Sequence, residues 1–383
     1  MNTVRFTGAV ILLTTFCLLL SGCYREKRTA TAETYEGYNL VEGCLVMDMQ
    51  GKVVKKFPGW LCQFIESTGN IVATENFDNI MCYDKTLQVK WKKNIPFHHD
   101  LRLTENGEIY FLSFDEHPYM NKTVRFDVIY KLSKEGEVLY KWSCYDHIPQ
   151  MLKYFSKAPH VKGKAPVYDG SQLADSFIAQ HEKLFVRYEP SHPPLMKDYW
   201  SLSFINSLQP LPVNASEYKG AAFSKGNLLV SFYTYSFLAI IDPKTSEVLW
   251  TYYLDVNAKI HNASMLPNGN ILMYVNSNYE DRRYVTILEI DPVTNKEVWK
   301  YEATPREAMN SVRLGSAQRL PNGNTLITDN TNDTARIFEV TKNKQIVWDW
   351  KINEAVSKRG NPLERMIYQA RREPKNKIDK FLK

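Results

Sequence analysis

Short runs rich in β-branched and aromatic residues, separated by turn residues, recur along most of the chain. The clearest turns are Leu266-Pro-Asn-Gly-Asn270 and Leu320-Pro-Asn-Gly-Asn324, each followed by a run of apolar residues. Looser copies of the same turn contain Gly69, Gly107 and Gly226. Asn-Gly between two β-rich runs is a strong hairpin signal, because both central positions of the turn require a positive φ. The pattern therefore predicts a series of hairpins.

A tryptophan closes the last strand of most of these units. The spacings between consecutive tryptophans are 51, 108, 49 and 49 residues, for Trp91, Trp142, Trp250, Trp299 and Trp348. Four-stranded units at this period, with almost no helical periodicity, predict an all-β protein with the β-propeller fold. A β-sandwich, the alternative all-β architecture, does not explain the tryptophan spacing.

The count of units predicts a six-bladed β-propeller. Five units carry a turn glycine, and a pair of strands, Cys44 to Asp48 and Lys52 to Phe57, precedes them. We expect a strand from the other end of the chain to complete that first blade, because closure removes exposed sheet edges. In each turn-marked unit, the strand before the turn should be the innermost.

One irregular insertion interrupts the repeat at residues 146–199, between the third and fourth turn-marked units. It contains six prolines. We therefore predict that it forms loops and short helices over one face of the disc. Its role is either that of a functional lid or that of a structural clasp.

The N-terminus has the pattern of a secretion signal. Arg5 is followed by a 13-residue apolar stretch from Gly8 to Leu20, which is short for a membrane span but typical of a signal peptide. The stretch leads into Leu20-Ser-Gly-Cys23, which resembles a bacterial lipobox. A signal peptide with a chance cysteine, or an interfacial anchor, is the alternative.

The lipobox predicts a division of the chain into three parts. Residues 1–22 form the lipoprotein signal peptide, 23–37 a polar tether beginning at the lipidated Cys23, and 38–383 a single β-propeller domain. The expected location is the bacterial cell envelope, periplasmic or surface-exposed, with the membrane as a partner through the lipid anchor.

Composition excludes several other classes of protein. The chain is 44% hydrophobic and 13% aromatic, which is typical of a globular protein and not of a disordered one. Its formal charge of +6 is spread thinly, so no nucleic-acid partner is expected. No nucleotide fingerprint occurs, and no cofactor is predicted. Without a C-x-x-C pair, disulfides and buried thiols both remain open for Cys44, Cys62, Cys82 and Cys144.

Two of the eight histidines occupy the same position in their repeats. Counting back eight residues from the turn glycine gives His99 and His261, and the same count gives Gly315 and Leu61 in other units. Inner strands of a propeller surround one axis, so both imidazoles are expected to converge at the mouth of the central channel. The neighbours expected there are Asn206, Ser264 and Ser316.

Imidazoles facing a channel allow several chemistries. A neutral histidine serves as a nucleophile or base, and a protonated one holds an anion. A metal requires a third ligand, which Asp100 or His98 would supply. A purely structural role, bonding strand backbone or buried water, is the alternative for both histidines.

The mature chain resembles the bacterial arylsulfate sulfotransferase family of six-bladed propellers. The resemblance is carried by six segments: Gly37-Tyr-Asn-Leu-Val41, Val46-Met-Asp-Met-Gln-Gly-Lys-Val-Val54, His98-His-Asp-Leu-Arg-Leu103, Phe204-Ile-Asn-Ser-Leu208, His261-Asn-Ala-Ser-Met-Leu-Pro-Asn-Gly-Asn-Ile-Leu272 and Gly315-Ser-Ala-Gln-Arg-Leu-Pro-Asn-Gly-Asn-Thr-Leu-Ile327. The tail, Ile367-Tyr-Gln-Ala-Arg-Arg372, also looks like the C-terminal segment of that family.

The resemblance implies sulfuryl transfer from a phenolic sulfate to a phenol through a sulfohistidine, without a nucleotide donor. Small phenols and aryl sulfates would be the substrates. Matched by motif, His261 is the implied nucleophile, and His99, or alternatively His98, stabilises charge on the oxygens. Asn206 matches the family's asparagine. Besides His98, the residues implied in substrate binding are Ser316, with Ser264 as an alternative donor, and Tyr233.

Two departures from the family pattern favour a different hypothesis. The family has histidine where this chain has Phe204, and it has arginine in the stretch that aligns with Ser231 to Ser236, where no cation occurs. Tyr233 and Tyr235 in that stretch are either ordinary strand aromatics or the lining of a pocket for aromatic or sugar ligands. Arginines that would substitute from elsewhere are Arg282, Arg283, Arg313, Arg319 and Arg371. The second hypothesis is a non-catalytic envelope propeller that binds a ligand or serves as an interaction scaffold.

Overall fold

The protein is a six-bladed β-propeller, as the sequence predicts. The computed structural model describes residues 29–75, 77–119, 122–158, 186–188, 199–254, 258–276, 283–331, 334–352 and 367–382. The predicted signal peptide, Cys23 and most of the insertion lie outside these ranges. No helix in the described ranges has the length and apolar character needed to cross a membrane.

Each blade contains four antiparallel strands that follow one another from the channel to the rim. Blade one is the exception in order, because its innermost strand comes from the C-terminal end of the chain. Its strands are Ala370–Glu373, Tyr38–Val41, Leu45–Met47 and Val53–Lys56. Blade two contains Cys62–Ile65, Asn70–Glu75, Asn79–Tyr83 and Val89–Lys93. Blade three contains Leu101–Leu103, Ile109–Tyr119, Lys122–Leu132 and Val138–Ser143, with Tyr199–Ser201 and Val186–Tyr188 added beside its long hairpin.

The other three blades follow the regular order. Blade four contains Ile205–Pro210, Leu228–Phe232, Phe237–Ile241 and Val248–Tyr253. Blade five contains Lys259–Met265, Ile271–Asn276, Thr286–Asp291 and Lys296–Tyr301. Blade six contains Ser316–Arg319, Thr325–Asp329, Arg336–Val340 and Ile346–Lys351, with Thr29–Ala30 at its rim. The prediction that the strand before each turn is the innermost is confirmed.

Helical structure is sparse in the part of the chain that the structure describes. The two α-helices are Ile148–Phe155 and Lys375–Leu382. Short 3-10 turns occur at Tyr145–His147, Glu217–Lys219, Ala221–Phe223 and Arg306–Ala308. The first α-helix begins the insertion and packs its apolar side into the core between blades three and four. The insertion therefore starts as part of the core.

The two ends of the chain close the ring. The strand Ala370–Glu373 pairs with Tyr38–Val41, which confirms that a strand from the other end completes blade one. Arg372 reaches from this strand into the space between blades, where it donates to Asn39 Oδ1 at 2.7 Å and pairs with Glu339 of blade six at 3.1 Å. Both charged side chains of this pair are fully buried, so removing either one would leave an uncompensated charge.

The repeated tryptophan has a structural explanation. In four blades its indole Nε1 donates, at 2.9–3.0 Å, to a backbone carbonyl in the outer hairpin turn of the next blade. The pairs are Trp91 with Lys134, Trp250 with Pro292, Trp299 with Lys342 and Trp348 with Met49. In blade three, Tyr140 holds the equivalent position. Trp142 lies in the outer strand of blade three, as predicted, but two residues beyond the repeated position, and it stacks on His147 in the core.

Candidate active site

One residue from each blade lies at the channel mouth, where the inner strands begin. The pairing of each inner strand with its neighbour defines the equivalent positions. The six residues at this level, which we call the mouth ring, are Trp60, His99, Asn206, His261, Gly315 and Tyr368. Leu61 was predicted for blade two, but the segment before Gly69 is one residue longer there, so Trp60 takes the position.

The mouth ring brings the two predicted histidines together. The ring centroids of His99 and His261 are 6.3 Å apart. The ring of Tyr368 lies 5.7 Å from His99 and 5.4 Å from His261, and Trp60 is 5.5 Å from Tyr368. The Tyr368 hydroxyl donates to the backbone carbonyl of Asn206 at 3.0 Å, so its side chain crosses the channel from blade one to blade four. Tyr368 thereby forms the floor beneath both imidazoles.

Irregular backbone at these positions turns the side chains toward one another. The pairing of blade four skips Asn206, and that of blade five skips His261, so each residue occupies a β-bulge. Bulges commonly re-aim a side chain next to a functional site. His99 has a φ of 58°, and Gly315 has a φ of 113°. A Cβ on Gly315 would collide with the ring of Tyr274, so glycine is required there.

His261 is a neutral imidazole with one free nitrogen. It is only 4% exposed, and burial lowers its pKa to about 3, although the amide of Asn276 partly offsets this. The amide nitrogen of Asn206 lies 3.4 Å from Nδ1. Nε2 is buried and has no hydrogen-bond partner among the described residues, and the same holds for Asn206 Oδ1. At neutral pH His261 is therefore uncharged, and its lone pair lies on Nε2 when the Asn206 amide is turned so that its oxygen accepts the Nδ1–H.

His99 is connected to a buried carboxylate through its neighbour. Its Nδ1 lies 2.8 Å from Nδ1 of His98. The other nitrogen of His98, Nε2, is 2.8 Å from the carbonyl oxygen of Ser113 and 3.1 Å from Asp127 Oδ1. The Ser203 hydroxyl also donates to Asp127. Burial, and then the neighbouring His98 and His261, hold the pKa of His99 well below its usual value. Both ring nitrogens of His98 are engaged in this way, so His98 holds the ring of His99 in its orientation.

Aromatic side chains form the wall of the site. Phe204, with a φ of 40°, lies edge-on to His99 at 5.0 Å and to Tyr233 at 5.5 Å. Tyr233 is 5.6 Å from His261 and donates its hydroxyl proton to the carbonyl of Val312 at 3.1 Å. Tyr233 therefore belongs to the site.

Tyr235 belongs to the core and not to a ligand pocket. It is completely buried and stacks on Phe155 of the first helix at 4.0 Å. The pocket interpretation of Tyr235 was therefore wrong.

The two serines are placed at different depths. Ser316 follows Gly315 at the mouth, is 5% exposed, and its hydroxyl has no partner in the described part of the chain. Ser264 lies three residues beyond His261, deeper along the channel. Of the two, Ser316 is the one beside the mouth ring.

The arginines named from the sequence do not lie in the mouth ring. Arg319 is committed to Glu289 at 2.5 Å, and Arg283 and Arg313 are exposed. Arg371 faces the channel at a deeper level, and Arg282 lies outside the described residues.

The cation beside the site wall is Lys259, which the sequence reasoning missed. Its Nζ donates to the carbonyl of Thr234 at 2.9 Å and lies 5.7 Å from the centroid of the Tyr233 ring. Burial lowers its pKa to about 8. The signal was available, since Lys259 is two residues before His261.

The residues considered as metal ligands are otherwise engaged. Asp100 pairs with Arg102 at 2.9 Å and accepts the backbone N–H groups of Leu101 and Leu208, each at 3.0 Å. Across the described ranges, no group of three histidine, cysteine or acidic residues is arranged to hold a metal ion. The four cysteines at 44, 62, 82 and 144 are buried free thiols.

Two solved structures are similar to this chain at low sequence identity. A protein of unknown function from Bacteroides caccae is 15% identical, with a TM-score of 0.52, over 88% of this chain and 98% of that one. Sqt1 of Saccharomyces cerevisiae is 9% identical, with a TM-score of 0.41, over 78% of this chain and 76% of that one. No curated protein matches the chain. The model of the arylsulfotransferase (ASST) family matches residues 38–353, so the chain belongs to that family.

Proposed function

We propose that this arylsulfotransferase-family protein transfers a sulfuryl group from a phenolic sulfate to a phenol through a covalent sulfohistidine on His261. The observation that carries the proposal is the pair of neutral imidazoles whose centroids are 6.3 Å apart at the channel mouth. One of them has a buried, unpartnered nitrogen, and the other is linked to a carboxylate. This combination supplies a nucleophile and a separate proton-transfer group.

The first step is attack by His261. The Asn206 amide lies beside Nδ1, and with its oxygen turned to that nitrogen it accepts the Nδ1 proton. Nε2 then holds the lone pair. It forms a bond to the sulfur of the aryl sulfate while the bond from sulfur to the phenolic oxygen breaks, and the electron pair leaves with that oxygen.

A proton reaches the departing oxygen from His99. The proposed mechanism starts with a proton on each ring nitrogen of His98, whose Nε2 lies 3.1 Å from the Asp127 carboxylate. His98 Nδ1–H then donates to His99 Nδ1, 2.8 Å away, and His99 directs its Nε2–H at the oxygen of the bound substrate. When the phenolate takes the Nε2 proton, the Nδ1 proton moves from His98 to His99.

The second step reverses this transfer. The acceptor phenol gives its proton to His99 Nε2, and the proton on His99 Nδ1 returns to His98. The phenolic oxygen attacks the sulfur of sulfo-His261, and the nitrogen–sulfur bond breaks. Protons and charge balance over the two steps, so no cofactor is required.

The aromatic wall accounts for the substrate class. Phe204, Tyr233 and Tyr368 present ring faces and edges to the two histidines. Flat phenyl groups pack favourably against such rings in edge-to-face and offset geometries. Small phenolic and aryl sulfates are therefore the proposed donors, with Ser316 as a hydrogen-bond donor at the mouth.

A second candidate function rests on Phe204. This ring lies 5.0 Å from His99, at the position where the family pattern has another imidazole, so one polar group is missing from the site. Loss of one oxyanion donor commonly reduces the rate by about 100- to 1,000-fold. The alternative is therefore a non-catalytic propeller that binds a ligand or serves as a scaffold.

Sulfuryl transfer from 4-nitrophenyl sulfate to phenol separates the two functions. We expect the wild-type protein to release nitrophenolate and to form phenyl sulfate, and His261→Ala to do neither. His117→Ala is the matched control, because His117 is a partly buried histidine that stacks on Tyr145 at 3.6 Å in blade three. Release that survives in His261→Ala would exclude the assigned nucleophile. No release from the wild type with any of several aryl sulfates would favour the scaffold.

The proposal includes attachment to the cell envelope through Cys23. Its support is the order of charge, apolar stretch, small residues and cysteine in the N-terminal sequence. Cys23→Ser should move the expressed protein from the membrane fraction to the soluble fraction. An unchanged distribution between the fractions would contradict lipid attachment.

A further inference from the structure

A second ring of side chains surrounds the channel below the mouth. It lies three residues farther along each inner strand than the mouth ring, and strand pairing again defines its members. We call it the channel girdle, and it consists of Gln63, Arg102, Gln209, Ser264, Gln318 and Arg371. Every blade contributes a polar side chain at this level, whereas apolar residues predominate at the preceding position of each strand.

Four members of the girdle form hydrogen bonds to the inner strand of the next blade. Gln63 Nε2 donates to the carbonyl of Leu101 at 3.2 Å, and Arg102 Nε donates to the carbonyl of Leu208 at 3.2 Å. Gln209 and Gln318 each accept a backbone N–H through Oε1, at 2.6 and 2.7 Å. These bonds tie neighbouring blades together around the axis.

Arg371 departs from this arrangement. Its guanidinium forms no hydrogen bond and no ion pair with any described residue, although the side chain is long enough to reach a neighbouring blade. The next residue, Arg372, points the other way, where its Nε donates to Asn39 and its Nη1 pairs with Glu339. Arg371 therefore presents five N–H donors toward the channel, and none of the described residues accepts a hydrogen bond from them.

The two nearby carboxylates, Asp100 and Glu373, stabilise the charge of Arg371 from a distance but form their ion pairs with other cations. Asp100 is committed to Arg102 and to two backbone N–H groups, and Glu373 pairs with Lys377 at 2.9 Å. Partial burial, and next the charge of Arg102, lower the pKa of Arg371, whereas the charges of Glu373 and Asp100 raise it. A partly buried positive charge that lies near a like charge and has no ion pair of its own attracts an anion.

We propose that the channel girdle binds a small oxyanion of the sulfate class through the guanidinium groups of Arg371 and Arg102. The planar fork of a guanidinium matches the spacing of two oxygens of such an anion. Ser264, whose hydroxyl forms no hydrogen bond to a described residue of the next blade, supplies a hydroxyl at the same level. The side chain of Tyr368 crosses from blade one to Asn206, and this floor separates the girdle from the two histidines.

This site does not depend on the proposed sulfuryl transfer. The residues of the girdle are different from those of the mouth ring, and binding of the anion needs no bond to be made or broken. Inorganic sulfate is therefore a sufficient probe, and a protein without sulfotransferase activity would still bind it.

Titration calorimetry with sodium sulfate tests the assignment. Arg371→Gln should weaken sulfate binding by about 10- to 150-fold, because a hydrogen bond to a charged group contributes about 1.5–3 kcal/mol. Lys244→Gln, which removes a positive charge from an exposed side chain of blade four, should leave the affinity unchanged. Arg371→Lys keeps the charge and is expected to retain part of the affinity.

Either of two calorimetric results would overturn the proposal: wild-type affinity for sulfate in a folded Arg371→Gln protein, or loss of sulfate binding in His261→Ala.

A crystallographic experiment tests the same site without a variant. Crystals of the wild-type protein soaked in selenate should show anomalous density beside Arg371. Density confined to the mouth ring, or none, would also exclude the girdle site.

Discussion

Replacing Asp127 with asparagine keeps the size of the side chain and removes its charge. In the proposed mechanism this charge stabilises the proton on His98, whose Nε2 lies 3.1 Å from Asp127 Oδ1. A charge-assisted hydrogen bond of this kind contributes about 1.5–3 kcal/mol, so Asp127→Asn should slow protonation of the leaving oxygen by about 10- to 150-fold. The substitution leaves His261 and Asn206 in place.

The loss should depend on the leaving group. Phenolate is a strong base and needs the proton from His99, whereas 4-nitrophenolate is stable without it. Steady-state kcat/KM for phenyl sulfate should therefore fall by the full amount, and that for 4-nitrophenyl sulfate should change little. Asp349→Asn, which breaks a partly buried pair with Arg336 in blade six, is the control for a general effect on the fold.

An equal loss for both substrates would refute the relay. It would mean that Asp127 acts only by holding the structure, through its bond from Ser203 and its burial. Unchanged kinetics with both substrates would refute it as well, because the proton would then reach the leaving oxygen by another route. The melting temperatures of both variants show whether either result comes from unfolding.

Three further outcomes follow from the mouth ring. Tyr368→Phe removes the donor to the Asn206 carbonyl, which should cost about 1–3 kcal/mol of stability in denaturant unfolding and lower kcat/KM for aryl sulfates. Gly315→Ala should destabilise the fold by about 2–6 kcal/mol, measured in the same way, because φ is 113° and the new Cβ meets the ring of Tyr274. His261 has a pKa of about 3 in the folded state, so below the usual value of about 6.5 the unfolded chain binds the extra proton. As the pH is lowered from 6.5 to 3, His261 should therefore reduce the free energy of unfolding by about 1.4 kcal/mol per pH unit. Equilibrium unfolding at several pH values measures this slope, and His261→Gln should remove the part that comes from His261.

The repeat was enough to predict the fold. Hairpin turns such as the one at Gly269 fix the strand order, and tryptophans such as Trp250 mark the outer strand because each donates to the next blade. In blade three, however, the spacing of tryptophans did not identify the equivalent residue. Tyr140, 49 residues after Trp91, keeps the regular spacing and takes the place of the tryptophan in blade three, whereas Trp142 lies two residues beyond it.

The candidate site was predicted in part. His99 and His261 were found because equivalent positions in a closed ring of blades face the same axis. Trp60 was missed because one extra residue before the turn shifts the count. Tyr368 was missed because its strand has no turn glycine from which to count. In the structure, Gln369 and Ala370 are equivalent to Asn262 and Ala263, so the residue before them, Tyr368, is equivalent to His261.

Contacts between distant side chains could not be derived from the pattern. Asp127 approaches His98 because the hairpin of blade three extends beyond the other blades. Likewise, the isolation of Arg371 becomes visible only when the bonds of the other girdle residues are known. Both depend on three-dimensional neighbours that lie far apart in the sequence.

The central claim is that His261 carries the sulfuryl group between donor and acceptor. Its most direct test is to incubate the protein with an aryl sulfate in the absence of an acceptor phenol and to map the modified peptide by mass spectrometry. We predict the added mass of one SO3 group on His261, and its disappearance when phenol is supplied. An unmodified protein, or the same group on His99 or another residue, would contradict the account.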